Sequence, residues 1–126
     1  MSDKNKAILE AANAAIAQGN YEEFLSFCTD DTQWTLVGDK TLQGKEAVRQ
    51  WMATEYVEPP LKNIVANLIA EGDFVTALGD LTIKDEEGKT AHYSYCDVWC
   101  FRGGKMVELK AFVIKTKVKD ESSNAA

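Results

Sequence analysis

The sequence predicts an α+β fold in which three N-terminal helices pack on one face of a strongly curved, mostly antiparallel sheet. In the first half of the chain, apolar residues recur with a helical period as far as Tyr56. After Leu61 this period disappears, and four strand-like segments follow, separated by short breaks rich in turn-forming residues. Helices with apolar faces must cover one side of such a sheet, and a bent sheet wrapped around them leaves an internal cavity between the layers.

The first two predicted helices are separated by a glycine. The first helix spans about residues 4–18 and ends at Gly19, where a left-handed residue is favoured. Its apolar face is formed by four residues at helical spacing: Ile8, Ala12, Ala15 and Ile16. The second helix opens at Asn20, which together with Glu23 resembles a capping box. Its buried side is predicted to be Phe24, Leu25, Phe27 and Cys28.

A short strand precedes the third helix. Residues 29–32 have turn chemistry, residues 33–37 are predicted to form a short strand whose first four residues alternate, and Gly38 opens the next turn. The third helix is expected to begin at Gly44 and to have ended before Pro59-Pro60, because two prolines remove two backbone donors. Its apolar side consists of Ala47, Val48, Trp51, Met52 and Tyr56.

The four strands of the second half are predicted at about 62–71, 74–84, 89–102 and 105–117. The breaks between them are short, which forces neighbouring antiparallel strands. The 126 residues therefore form a single domain, and the polar stretch 118–126 is expected to be a flexible tail.

Composition excludes several classes of function. The chain has a net charge of −6 and only two arginines, Arg49 and Arg102, which is unsuited to nucleic acid or to an anionic membrane. No apolar run approaches the ~18–20 residues needed to span a bilayer, and no signal peptide is recognisable. Cys96 and Cys100 would lie about 13 Å apart on one strand, too far for a disulfide. We therefore expect reduced cysteines and a cytoplasmic protein.

Alternation along the strands predicts one polar anomaly on the inner face. The inward set on the third strand is Tyr93, Tyr95, Asp97, Trp99 and Phe101. The flanking strands contribute Val75, Ala77, Gly79, Leu81 and Ile83, and Val107, Leu109, Ala111 and Val113. Burial of an ionised carboxylate is costly and raises its pKa, so Asp97 is suited to general acid–base work or to donating to an oxyanion. Alternatively, the Asp97 carboxyl has a purely structural role and accepts a hydrogen bond from Tyr93, Tyr95 or a backbone amide.

Five stretches of the sequence carry a family resemblance. They are residues 17–25 (AQGNYEEFL), 29–31 (TDD), 42–48 (LQGKEAV), 97–101 (DVWCF) and 104–107 (GKMV). Together they resemble the nuclear transport factor 2-like (NTF2-like) superfamily, with its cystatin-like cone. Within it they are similar to the SnoaL-like polyketide cyclases and the ketosteroid isomerases. The resemblance covers about residues 4–117, so it implies one SnoaL-like domain.

The resemblance implies a site built on Asp97. This residue matches the oxyanion-hole aspartate of the isomerases, but Leu36 stands at the position of their general base and Ala12 at that of their phenol donor. A standard ketosteroid isomerase is therefore not expected. The cyclase branch implies one acid–base carboxyl in an apolar pocket, which Asp97 supplies without a cofactor or a metal. The residues expected to contact a small apolar ligand are Trp34, Leu36, Tyr56, Tyr95, Trp99 and Leu109.

Two related chemistries are not supported by the sequence. Related epoxide hydrolases use two carboxylates bridged by an arginine. Here Arg102 lies one residue away from the inward-facing set of its strand, and Arg49 lies on the outer part of the third helix. The single histidine, His92, falls on the outer face of the sheet, away from any cluster that could form a catalytic triad or a metal site.

The outer face of the sheet is too apolar to face water. Its apolar residues are Phe74, Leu78, Cys96, Val98, Cys100, Phe112 and Ile114. The predicted cover is a second copy of the chain, packed sheet to sheet with two-fold symmetry. Three functions thus stay open: a proton-transfer enzyme of cyclase or isomerase type, a non-catalytic ligand-binding protein, and a dimeric assembly module.

Overall fold

The computed structural model describes residues 2–55, 60–85 and 87–116. Its helices are α1 (Ser2–Ala17), α2 (Tyr21–Ser26) and α3 (Lys45–Glu55). Its strands are β1 (Cys28–Leu36), β2 (Lys40–Gln43), β3 (Lys62–Glu71), β4 (Phe74–Lys84), β5 (Thr90–Arg102) and β6 (Lys105–Thr116). Within the described ranges, no helix is both long and apolar enough to cross a membrane.

All six strands belong to one curved sheet, in the order β2-β1-β6-β5-β4-β3. The pairs β3–β4, β4–β5 and β5–β6 are antiparallel hairpins, as predicted, while β1 pairs with β6 in parallel. The link between β5 and β6 is Gly103-Gly104, with φ of 61° and 80°, a backbone that other residues rarely adopt. Strand β5 lies between β4 and β6 and is antiparallel to both.

The first strand is longer than predicted, and a short strand was missed. Strand β1 already begins at Cys28, and residues 29–32 continue it instead of forming a turn. The register between β1 and β6 shifts between Cys28 and Gln33, so these turn-prone residues form an irregular part of the strand. Strand β2 has only four residues, too few to show an alternation, and it pairs with the end of β1.

Two residues of β6 differ from the predicted burial. Met106 was expected on the outer face but is 0% exposed, because the register between β5 and β6 shifts at Cys100 and Phe101. Val113 has the predicted parity but is 49% exposed, so this part of the inner face is not covered by the described helices. Two expectations, the Tyr56 contact and the 118–126 tail, lie outside the described residues.

The helices are held on the sheet by an aromatic core. Phe24 of α2 packs edge-on against Trp34 of β1 and Trp99 of β5, with ring centroids 5.8 and 6.3 Å apart. The predicted cap of α2 is confirmed, because the backbone N–H of Glu23 donates to Asn20 Oδ1 at 3.2 Å.

The second and third helices are joined at the surface through Arg49. Its Nε donates to Glu22 of α2 at 2.8 Å, and its Nη1 donates to Glu46 of α3. An exposed pair of this kind contributes little to stability, so burial of the aromatic core is the main force that fixes the helical layer.

Candidate functional site

The centre of the inner face is a row of five side chains, one from each of five neighbouring strands. The row contains Leu36 (β1), Ala111 (β6), Asp97 (β5), Ala77 (β4) and Leu68 (β3). The only polar member, Asp97, is flanked on both sides by alanines, which have short side chains and no polar group. The row thus places one carboxyl among small and apolar neighbours.

The carboxyl group of Asp97 is enclosed at one of its two oxygens and has no partner among the described residues. Its Oδ1 has essentially no accessible surface and accepts no hydrogen bond within the described part of the chain, although the residue as a whole is only partly buried. Burial raises the pKa of Asp97 to about 7. Near neutral pH, the group is therefore present both as an acid and as a base.

Tyr95, which sequence reasoning offered as a possible partner of Asp97, points elsewhere. Its hydroxyl donates to Asn63 Oδ1 of β3 at 2.7 Å. To reach it, the tyrosine ring crosses β4 at Gly79, where a Cβ atom would lie 2.7 Å from the hydroxyl oxygen and 2.3 Å from the Ile64 carbonyl oxygen. Burial and the charge of Asp97 raise the pKa of Tyr95 to about 12, so the phenol keeps its proton.

Gly79 and Asn63 are the two residues that sequence reasoning missed. A glycine within an otherwise regular strand is a signal of close approach by another group. That signal was available at Gly79, but nothing in the sequence connected it to Asn63, which lies 32 positions from Tyr95 along the chain. Both residues fix the tyrosine beside the Asp97 row.

Three of the predicted ligand contacts are part of the aromatic core. Trp34 lies with its ring centroid 5.7 Å from that of Trp99 and 6.1 Å from that of Trp51, and these rings meet edge to face. Leu109 lies in register between Trp34 and Trp99 and is buried under them. The aromatic core therefore fills the interior next to the Asp97 row, and only its surface toward Asp97 can face a ligand.

The enclosed cavity stays a prediction. One concavity formed by the described residues is a groove of about 410 Å³ between α1 and β3, lined by Glu10, Asn13, Val65, Ala66, Asn67 and Leu68. It shares Leu68 with the Asp97 row but does not include the carboxyl group. A second concavity, of about 220 Å³, lies at the turn between β1 and β2.

The positions that correspond to the other catalytic groups of the isomerases and epoxide hydrolases do not add a polar group to the Asp97 row. Ala12 is fully buried in the core, and Leu36 lies in the Asp97 row, so neither position offers a proton donor or acceptor. Arg102 donates to Asp31 at the surface, at 2.8 Å, and does not reach the inner face. His92 Nδ1 is 3.3 Å from the hydroxyl of Thr82, its cross-strand neighbour on the outer face.

Among the described residues, no three His, Cys, Asp or Glu side chains lie close enough together to hold a metal ion. Cys28, Cys96 and Cys100 are free cysteines in the structure.

Comparison with known proteins supports the family resemblance. A family model described as a SnoaL-like domain matches residues 9–109. None of the curated proteins compared with the chain matches it significantly.

Solved structures of similar fold include three whose descriptions concern small molecules. A putative SnoaL-like polyketide cyclase from Jannaschia sp. CCS1 is 17% identical, with a TM-score of 0.81, 89% of this chain and 86% of that one being covered. SalBIII, an epoxide hydrolase/cyclase-like enzyme of pyran ring formation in the polyether salinomycin, is 17% identical, with a TM-score of 0.80 and coverage of 88% and 91%. TerC, co-crystallized with polyporic acid, is 20% identical, with a TM-score of 0.73 and coverage of 86% and 90%. At these identities the similarity establishes the fold alone.

Proposed function

Because this chain belongs to the SnoaL-like domain family of the NTF2-like superfamily, we propose that it binds a small, mostly apolar carbonyl compound and transfers a proton on it through Asp97. The observation that carries the proposal is the Asp97 carboxyl on the inner face between two alanines: its Oδ1 is enclosed, and it has no hydrogen-bond partner among the described residues. A structural carboxylate would have a partner, whereas one that serves a ligand keeps its acceptor free until the ligand arrives.

The proposed reaction is of cyclase or isomerase type. The Asp97 carboxylate removes a proton from the carbon next to a ketone, and the resulting carboxylic acid returns it to carbon in the product. A pKa of about 7 suits both steps, because general acid–base catalysis is most efficient when the pKa lies near the working pH. The descriptions of the Jannaschia protein and of SalBIII as cyclase-like, and of TerC as crystallized with polyporic acid, are consistent with such a ligand.

Titration of Asp97 tests this proposal directly. With ¹³C-labelled aspartate carboxyls, the signal that disappears in Asp97→Asn should titrate with a midpoint near 7. Addition of the hydrocarbon tetralin should raise that midpoint further, because an apolar ligand replaces water around the carboxyl group. A midpoint near the ordinary value of about 3.9 would contradict a desolvated acid–base group.

A non-catalytic binding protein is the second candidate. The observation that favours it is the aromatic core, which packs beside the row that contains Asp97 and offers no second carboxyl group among the described residues of that row. In that case Asp97 anchors a polar end of the ligand, and its replacement changes affinity without affecting any reaction.

We also propose that the chain forms a homodimer through the outer face of the sheet. Phe74, Phe112 and Ile114 lie on this face and are 50%, 42% and 67% exposed. Phe112 and Ile114 are successive outward residues of β6, and the outward residues Cys96, Val98 and Cys100 of β5 connect them with Phe74 of β4 in one apolar patch. A patch of this kind is typical of a protein–protein interface, and a second copy of the same sheet is its simplest complement.

Phe112→Lys is expected to convert the dimer into a monomer, because two-fold symmetry would bury two lysines near the middle of the interface. Sedimentation velocity at micromolar concentration measures the change. Val37→Lys is the matched control, since Val37 is similarly exposed but lies outside the apolar patch, at the end of β1. A wild-type protein that sediments as a monomer would contradict the dimer.

A further inference from the structure

The interior contains an unpartnered donor as well as the unpartnered acceptor of Asp97. The indole Nε1 of Trp34 has essentially no accessible surface and donates to no acceptor among the described residues. Buried N–H groups nearly always have a partner, and the exceptions call for an explanation such as a missing ligand. The rings that surround Trp34 offer its N–H at most a weak contact with a π-face, which replaces only part of an ordinary hydrogen bond.

The two unpartnered groups lie on the same face of the sheet and close enough for one small molecule. Trp34 on β1 is two strands away from β5, where Asp97 lies one row further along. Strand spacing and rise place their Cα atoms roughly 12 Å apart. Both side chains extend into the interior from that face, so we infer that one small cyclic molecule, bound on the surface of the aromatic core toward Asp97, would reach both polar ends. Leu36 and Ala111 form the apolar floor of this site.

We propose that the Trp34 indole N–H donates to the carbonyl oxygen of the ligand, and that the ligand is a cyclic ketone whose ionisable C–H faces Asp97. This inference rests on the proposed function and adds the substrate class and a second polar contact. The Trp34 donor and the Asp97 acceptor would each gain the partner that it lacks.

The proposed contact has a clear role in proton transfer. When the Asp97 carboxylate takes the proton, the C–H electron pair becomes the new C=C bond, and the carbonyl oxygen acquires the negative charge of an enolate. Trp34 then donates to that oxygen, which strengthens its hydrogen bond as the charge develops. An indole N–H is far too weak an acid to give up its proton, so the proton returns from Asp97 to carbon. Atoms and charge balance without a further reactant.

The test compares two ligands of one shape, the ketone 1-tetralone and the hydrocarbon tetralin, on the wild-type protein and on Trp34→Phe. In Trp34→Phe, loss of the indole volume should lower the binding affinity of both ligands equally. Loss of the N–H should lower the affinity for 1-tetralone by a further factor of about ten. In ¹⁵N-labelled wild-type protein, the Trp34 indole proton should move downfield with 1-tetralone and not with tetralin. Its signal is assigned through its contacts with the Phe24 and Trp99 rings, so this readout does not require the variant to fold.

The outcomes separate this inference from the proposed function. If 1-tetralone binds, and if Asp97→Asn alters that binding while the Trp34 proton does not shift, the donor role of Trp34 is wrong and the proposed function stands. If neither ligand binds the wild-type protein, both proposals are overturned. An additional tenfold loss confined to the ketone, together with the downfield shift, supports the assignment of Trp34.

Discussion

Asp97→Asn is expected to abolish proton exchange at the carbon next to the carbonyl group of a bound ketone. In D₂O, the wild-type protein should accelerate the loss of the C2 proton signals of 1-tetralone, as followed by ¹H NMR. Removal of a general base typically lowers a rate by ~10²–10⁴-fold, so the variant should exchange at the rate of the buffer. The amide of asparagine keeps the shape of the carboxyl group but cannot accept the proton.

The pH dependence of this exchange identifies the reacting form. The base is the carboxylate, so the rate should rise with pH and level off above about 7, where Asp97 is ionised. Asp80→Asn is the control: Asp80 lies on β4 on the outer face, where it accepts a hydrogen bond from Ser94 at 2.9 Å. It should leave the exchange unchanged. If Asp97→Asn exchanged as fast as the wild-type protein, the catalytic part of the proposal would be wrong.

Local signals were sufficient to predict most of the fold. The bounds of β3 and β4 agree with the sequence, because each strand is long, alternates regularly and ends at a short turn. The four-residue β2 offers too little pattern to be recognised without its partner. The burial of Met106 depends on a register shift between two strands, which is a property of the pairing and not of either strand alone.

The candidate site was predictable in its main residue but not in its surroundings. The inward orientation of Asp97 follows from alternation, since a period of two leaves only two faces. The alanines beside it, the hydrogen bond between Tyr95 and Asn63, and the unpartnered Nε1 of Trp34 depend on contacts between strands that are distant in sequence. The position of Asp97 was therefore encoded locally, whereas its isolation from hydrogen-bond partners arises only when the sheet is assembled.

Asp97→Asn is also expected to stabilise the protein at alkaline pH, by an amount that vanishes in acid. The pKa of Asp97 is about 7 in the folded state and about 3.9 in the unfolded chain, so between these values the folded protein binds more protons. The stability of the wild-type protein should therefore be full below about pH 4, fall as the pH rises toward 7, and level off above. Asparagine is neutral at every pH, so the free energy of unfolding of the variant should not fall in this way as the pH rises.

The size of the effect follows from the difference between the two pKa values. At about 1.4 kcal/mol per pKa unit, the wild-type protein loses at most about 4 kcal/mol between pH 4 and pH 8. Urea unfolding of both proteins at a fixed protein concentration should thus give equal free energies near pH 4 and a more stable variant at pH 8. Asp80→Asn should stay within about 0.5 kcal/mol of the wild-type protein at every pH, as exposed substitutions usually do. If the variant were less stable than the wild-type protein at pH 8, the interactions of the carboxylate in the folded protein would outweigh the free-energy cost of its burial. Asp97 would then be a structural residue and not a group that serves a ligand.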